Sequence, residues 1–209
     1  MLTAIAYQLR RDTDAAHEQA EALIALATEQ GFALFLAIGE IMRQATRPAL
    51  GERGQQIAHI RQGLAAVRET GSAVLEPYFL GLLADAHAQD GQVEAGLATV
   101  DEALAAAQRT DQRMVEAELY RLRGSVLLRQ PRTGPAEVET CFQQALEVAR
   151  RQEARSLELR AAMSLGRLWQ QQGKRQEAHD LLARTYGWFT EGFDTADLQE
   201  AKALLKELA

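Results

Sequence analysis

Apolar residues along this chain fall at steps of three and four, the spacing that puts them on one face of an α-helix. Val93, Leu97, Val100, Leu104 and Ala107 form one such stripe, and Ile57, Ile60, Leu64 and Val67 another. Val138, Phe142, Ala145 and Ala149 form a third, and Val115, Leu119, Leu122 and Val126 a fourth. No stretch alternates apolar and polar residues in the manner of a strand. The pattern predicts an all-helical protein.

The stripes recur at a fixed interval. A two-residue landmark in every other helix falls at Leu23-Ile24, Gly63-Leu64, Ala103-Leu104, Ala145-Leu146 and Thr185-Tyr186, spaced 40, 40, 42 and 40 residues apart. Three residues before each landmark sits Ala20, Ile60, Val100, Phe142 or Leu182. A fixed period of this length marks a stack of similar units. The period predicts units of roughly 1–30, 31–70, 71–110, 111–153 and 154–192 within one repeat domain, with a capping helix over 194–208.

Turn residues punctuate that period. Gly51, Gly91 and Gly173 are expected between the two helices of a unit, where glycine takes φ > 0 without steric cost. Gly31, Gly71 and Thr110-Asp111 separate neighbouring units, and the 131–135 segment, between Pro131 and Pro135, absorbs the two extra residues of the fourth. Pro77 suits the first turn of its helix, whereas Pro48 should shorten or kink the helix it falls in. The segment from Leu2 to Arg10 supplies only the back half of a unit. Its uncovered apolar face suggests either a longer parent protein or pairing of two copies through that face. At the other end Asp194 or Thr195 can N-cap a helix with stripe Leu198, Ala201, Leu205 and Leu208. Trp188, Phe189 and Phe193 are expected to pack beneath it.

The best-formed unit carries Leu165-Gly166-x-x-Trp169, Gly173, Ala178, Leu182 and Thr185. This resembles the tetratricopeptide pattern of small residue, aromatic, turn glycine, alanine, large apolar and small residue. The 19-residue distance between the small positions, as from Gly166 to Thr185, matches that family. The distance between units is longer than in the ordinary repeat of about 34 residues. In that respect, and in the Tyr186–Leu205 tail, the chain resembles the C-terminal repeat region of bacterial multidomain cyclase–ATPase signalling proteins and maltose-activator-type regulators. The resemblance implies a right-handed α-solenoid of antiparallel helix pairs, about four and a half pairs plus a cap. It carries over neither cyclase nor ATPase activity, whose portions are not in this sequence.

Composition removes several alternatives. A net charge of −6 argues against a dedicated nucleic-acid binder. No uncharged run approaches the ~18 residues of a membrane span, and the first residues do not form a secretory signal. A soluble cytoplasmic protein is the default expectation. The single cysteine, Cys141, reads as a small buried hydrophobe. Gly173-Lys174 lacks the glycine cluster of a phosphate loop, and His17-Glu18 lacks the second histidine of a zinc motif. His59, His87 and His179 are scattered one per unit, with His87 in the aromatic slot that Trp169 holds and so expected in the core. No serine has an identifiable base and no carboxylate pair has environments that would separate two pKa values. The chain reads as a non-enzyme that requires no metal or other cofactor.

What remains is a binding face. The resemblance implies that first helices line a concave groove, on positions spaced 0, +3, +7 and +10. These give Tyr78, Gly81, Asp85 and Ala88, then Glu118, Arg121, Ser125 and Leu128, then Arg160, Met163, Arg167 and Gln170, with Ile38 and Ile41 earlier. The candidate groove residues are therefore Tyr78, Asp85, Glu118, Arg121, Ser125, Arg129, Arg160 and Arg167. Arginine recognises carboxylates bidentately, so an acidic peptide or acidic protein surface is the natural partner. Alternatively these arginines pair with Glu116, Glu118 and Glu158. The lysine/asparagine clamp for C-terminal carboxylates is not present at these positions. The expected function is a protein-interaction or scaffold module of a bacterial regulatory protein. Effector sensing and self-association are the competing readings.

Overall fold

The computed structural model describes residues 1–46, 53–131 and 133–209. Regular structure among the described residues is entirely helical: α1 (Leu2–Leu9), α2 (Thr13–Gln30), α3 (Ala33–Thr46), α4 (Arg53–Glu69), α5 (Glu76–Gln89), α6 (Val93–Thr110), α7 (Glu116–Leu127), α8 (Pro135–Arg151), α9 (Arg155–Gln171), α10 (Arg175–Tyr186) and α11 (Ala196–Leu208). The expected break at Pro48 and turn at Gly51 lie outside the described residues.

The helices gather into two compact units, Met1–Gln112 and Arg113–Ala209. In the first unit α1 packs on α2, α3 on α4 and α5 on α6; α3 also lies against α1, α2 and α5. In the second, α7 packs on α8 and α9 on α10, α9 lies against α7 and α8, and α11 covers both α9 and α10. Within each unit the helix pairs bury their stripes between their own helices and against the neighbouring pair, which is the packing of a helical-repeat solenoid.

The stripes of α4, α7 and α8 are buried as their spacing requires, down to Ile60, Val126, Ala145 and Ala149 with no exposed surface. On α6 the buried face is shifted: Gly96, Thr99, Val100, Ala103, Ala106 and Ala107 are inside, while Val93, Leu97 and Leu104 are half-buried. Small residues there let α6 approach α5 closely, which leaves the larger side chains at the flanks. On α11, Leu204 completes the stripe in place of Leu205 and reaches within 3.9 Å of where a Gly166 side chain would stand. Thr195 holds the N-cap position, but its hydroxyl donates back to the Gly192 carbonyl at 2.7 Å. Trp188 and Phe193 do not pack beneath α11. Trp188 is 61% exposed under the Arg155 guanidinium, 4.1 Å from the ring centre, and Phe193 is exposed beside Tyr186.

Left-handed residues end the helices where the sequence placed its turns: Gly31, Gly71, Gly91 and Gly173, with Asp111 and Glu153 in the same role, and Gly192 is left-handed in the loop before α11. Gly173 sits at φ +80° with no atom within 4 Å of where a Cβ would stand, so a side chain there meets only backbone strain. Gly173→Ala is therefore expected to cost about 1 kcal/mol, a fall of roughly 2–4 °C in Tm by circular dichroism. Its helicity should be unchanged.

Candidate partner-binding face

The predicted groove residues divide into those the fold covers and those it leaves open. In the first unit Tyr78 is 4% exposed, and its hydroxyl donates to Gln8 Oε1 on α1 at 2.9 Å and faces Met42 Sδ at 3.6 Å. Burial pushes the phenol pKa well up. Ile38 and Ile41 are fully buried, since helices lie against α3 from α1, α2, α4 and α5. Ala88 is buried too, and Asp85 is the exposed member, accepting from Gln89 Nε2 at 2.7 Å one turn on.

In the second unit α11 takes up the first-helix face of α9. Arg160 is buried, with Nε on Asp197 Oδ2 at 2.7 Å, and Arg167 Nη2 reaches Glu200 Oε1 at 2.6 Å. Met163 is buried beside them on α9. These two arginines are thus structural ties to the last helix, and their partners differ from the neighbours expected from sequence.

The face of α7 stays accessible. Arg121 Nε and Nη2 grip Glu118 at 2.9 Å and 2.8 Å, and Nη1 donates to Ser125 Oγ at 3.3 Å. All three side chains are half-buried on one helix, with Leu128 and Arg129 exposed just beyond its end. A partly exposed i,i+3 pair of this kind contributes only about 0.3–0.5 kcal/mol, so it can open to a competing carboxylate at small cost.

A second charged pattern escapes a reading that treats its acids only as partners for the groove. Glu76, Glu116 and Glu158 stand in the first turns of α5, α7 and α9, at the spacing of the repeat, and all are buried. Glu76 meets Arg68 at 2.7 Å and Arg109 at 3.0 Å; Glu158 meets Arg150 at 2.8 Å and Arg155 at 2.9 Å. Hydrogen bonds to Glu102 and Glu76 hold the Arg68 pKa above its ordinary value. Glu116 is the loosest copy: Arg113 and Arg151 stand 3.8 Å and 3.9 Å away, and its Oε2 makes no hydrogen bond. The carboxylates sit at helix N-termini, which favours them further. The signal available in the sequence is a glutamate recurring at the repeat period, with an arginine three residues before Glu116 and Glu158 but not before Glu76.

His87 is in the core, as its aromatic slot implied. Its Nδ1–H donates to Gln92 Oε1 at 2.8 Å and its Nε2 accepts from Arg61 Nη2 at 3.1 Å, which fixes the neutral ring. Burial lowers its pKa below the usual 6.5, and Arg61 acts in the same direction against Gln92 and Asp90. The folded state therefore binds fewer protons here than the unfolded chain. The stability from neutral His87 is complete above about pH 6.5 and is lost as pH falls through the lowered folded value. Urea melts between about pH 7.5 and 5 should show that fall, at most about 1.4 kcal/mol per pH unit, and His87→Phe should flatten it.

Cys141 is buried, with Arg123 Nη1 at 3.4 Å from its sulfur, and Gly173-Lys174 is a helix–helix turn. Groups of three or more metal-ligating side chains are absent among the described residues. No helix is long and apolar enough to cross a membrane among those residues. Elsewhere on the second unit an open cleft of about 490 Å³ lies between α8, α10 and the second half of α9.

Helix pairs of about 40-residue period, stacked first helix on second, define a tetratricopeptide-like helical-repeat fold. Solved structures of that kind match the chain. BtubC (BKLC) from P. vanneervenii superposes with a TM-score of 0.68 over 96% of this chain and 89% of its own, at 17% identity. A candidate kinesin light chain of Podosopora anserina with nearly identical TPR-like repeats gives 0.55 over 98% and 92%, at 16% identity. A variant of the latter gives 0.58 over 88% and 90%, at 17% identity. No family model and no curated protein matches the chain.

Proposed function

We propose that this chain is a non-catalytic interaction module that receives a peptide or protein partner on the first-helix face of α7. The observation that carries the reading is the Glu118–Arg121–Ser125 row: polar, accessible, preorganised on a rigid helix, and at the repeat position where tetratricopeptide-like folds expose first-helix side chains. An acidic partner suits it, because a partner carboxylate can take over the fork that Glu118 now holds, with Arg129 alongside. The groove reading is thereby narrowed, since Tyr78, Arg160 and Arg167 are engaged within the fold. A role as the regulatory tail of a bacterial signalling protein rests on the resemblance carried by Leu165-Gly166-x-x-Trp169 and the Tyr186–Leu205 tail.

The test is quantitative affinity capture with the full chain against its Arg121→Glu/Arg129→Glu variant. Capture of a specific partner should fall at least tenfold, while helicity and Tm stay within experimental error. Equal capture by both proteins would remove the α7 face from the reading.

A further inference from the structure

The cleft on the second unit has a chemistry that neither the repeat packing nor the α7 face uses. Leu146, Leu165 and Leu181 form its buried floor, one from each of α8, α9 and α10. Trp169 forms a wall, and its indole is held in place: Nε1 donates to Glu139 Oε1 at 2.9 Å, and the Lys174 ammonium lies 6.0 Å from the ring centre. A fixed, half-buried aromatic over an apolar floor is an anchor pocket for one large apolar side chain.

Two charges on the rim are unspent. Arg184 on α10 uses only Nε, on the Asp180 carbonyl at 3.1 Å, and its two Nη groups have no partner among the described residues. Glu147 on α8 has no hydrogen-bond or ion-pair partner among those residues, Arg184 included. The third rim charge, Arg150, is already committed to Glu158 at 2.8 Å. Opposite charges lining one cleft from α8 and α10, with no ion pair between them, call for a ligand that carries both signs around an apolar centre. A simple apolar acid would satisfy Arg184 and leave Glu147 repelling it.

We propose that this cleft docks an amphipathic peptide segment of a protein partner. One large apolar side chain enters against Trp169 and the leucines, with an acidic residue toward Arg184 and a basic residue toward Glu147. The site stands on α8, α9 and α10 and shares no residue with the α7 face, so the two readings fail separately.

Random 12-residue peptides displayed on phage are panned against the full chain, and the enriched peptides are labelled and titrated by fluorescence anisotropy. Enriched sequences should carry an apolar anchor between an acidic and a basic residue and bind with one-to-one stoichiometry. Arg184→Glu should weaken them at least tenfold with an unchanged melting curve, and exchanging the peptide's acidic residue for lysine should restore binding to that variant. Arg121→Glu should leave their affinity unchanged. Peptides whose affinity is indifferent to both Arg184→Glu and Glu147→Lys would overturn the proposal. So would octanoate saturating the cleft, seen in Trp169 fluorescence of a Trp188→Phe protein, where no peptide competes. Dimerisation of the chain that Arg184→Glu abolishes would equally overturn it, in favour of a second copy.

Discussion

Arg160→Ala is expected to destabilise the protein by about 3–5 kcal/mol, because it leaves the Asp197 carboxylate buried without its guanidinium. For a chain of this size that is a fall of roughly 10 °C in Tm. The loss should begin at α11, which Arg160 ties to α9 together with the shallower Arg167–Glu200 pair. Thermal denaturation and amide exchange in 196–208 measure both parts. The double variant Arg160→Met/Asp197→Leu should recover most of the stability, since apolar groups of similar volume remove the desolvation penalty along with the pair. A single variant as stable as the parent would show that α11 is held by its leucines alone.

The glycines of the first helices give the second large effect, with opposite signs at equivalent positions. A side chain at Gly124 would meet the Phe142 ring at 2.6 Å and Cys141 Cβ at 3.2 Å, both on α8. Gly124→Val is expected to cost about 2–3 kcal/mol, as the ring is rigid and the core is close-packed. At Gly166 the nearest atoms are Ala178 O and Leu204 Cδ2, both at 3.9 Å, which is ordinary contact distance. Gly166→Ala should therefore stabilise the protein by up to about 1 kcal/mol through helix propensity. Urea denaturation of the two variants distinguishes the signs directly.

The contrast shows what the sequence can carry. A small residue at 124 and at 166 is legible as one repeat position, and the stripes of α4, α7 and α8 lead directly to the core. Whether that small position is tightly filled depends on its neighbour, Phe142 in one pair and Ala178 in the next, and periodicity does not contain that information. The groove fares similarly. Spacing places Tyr78, Ile38, Ile41, Arg160 and Arg167 on the outward face of their helices, but a helix wheel cannot show that another helix arrives to cover that face. Gln8 of α1 meets Tyr78, and Asp197 of α11 meets Arg160. The α7 row stays accessible, and its own helix supplies both charges of the pair, an i,i+3 relation that sequence does contain. The aromatic loop before α11 goes the other way: hydrophobicity assigns Trp188 to the core, yet Arg155 covers it at the surface. A guanidinium over an exposed indole contributes about 0.5–1 kcal/mol, which offsets part of the cost of leaving the ring outside.

The claim that α7 is the binding helix is tested most directly by hydrogen–deuterium exchange on the full chain with and without its captured partner. Protection should increase over residues 116–129, the stretch from Glu116 to Arg129, while the α11 segment 196–208 stays unchanged. Binding that protects other helices and leaves 116–129 exchanging as in the free protein would contradict the account.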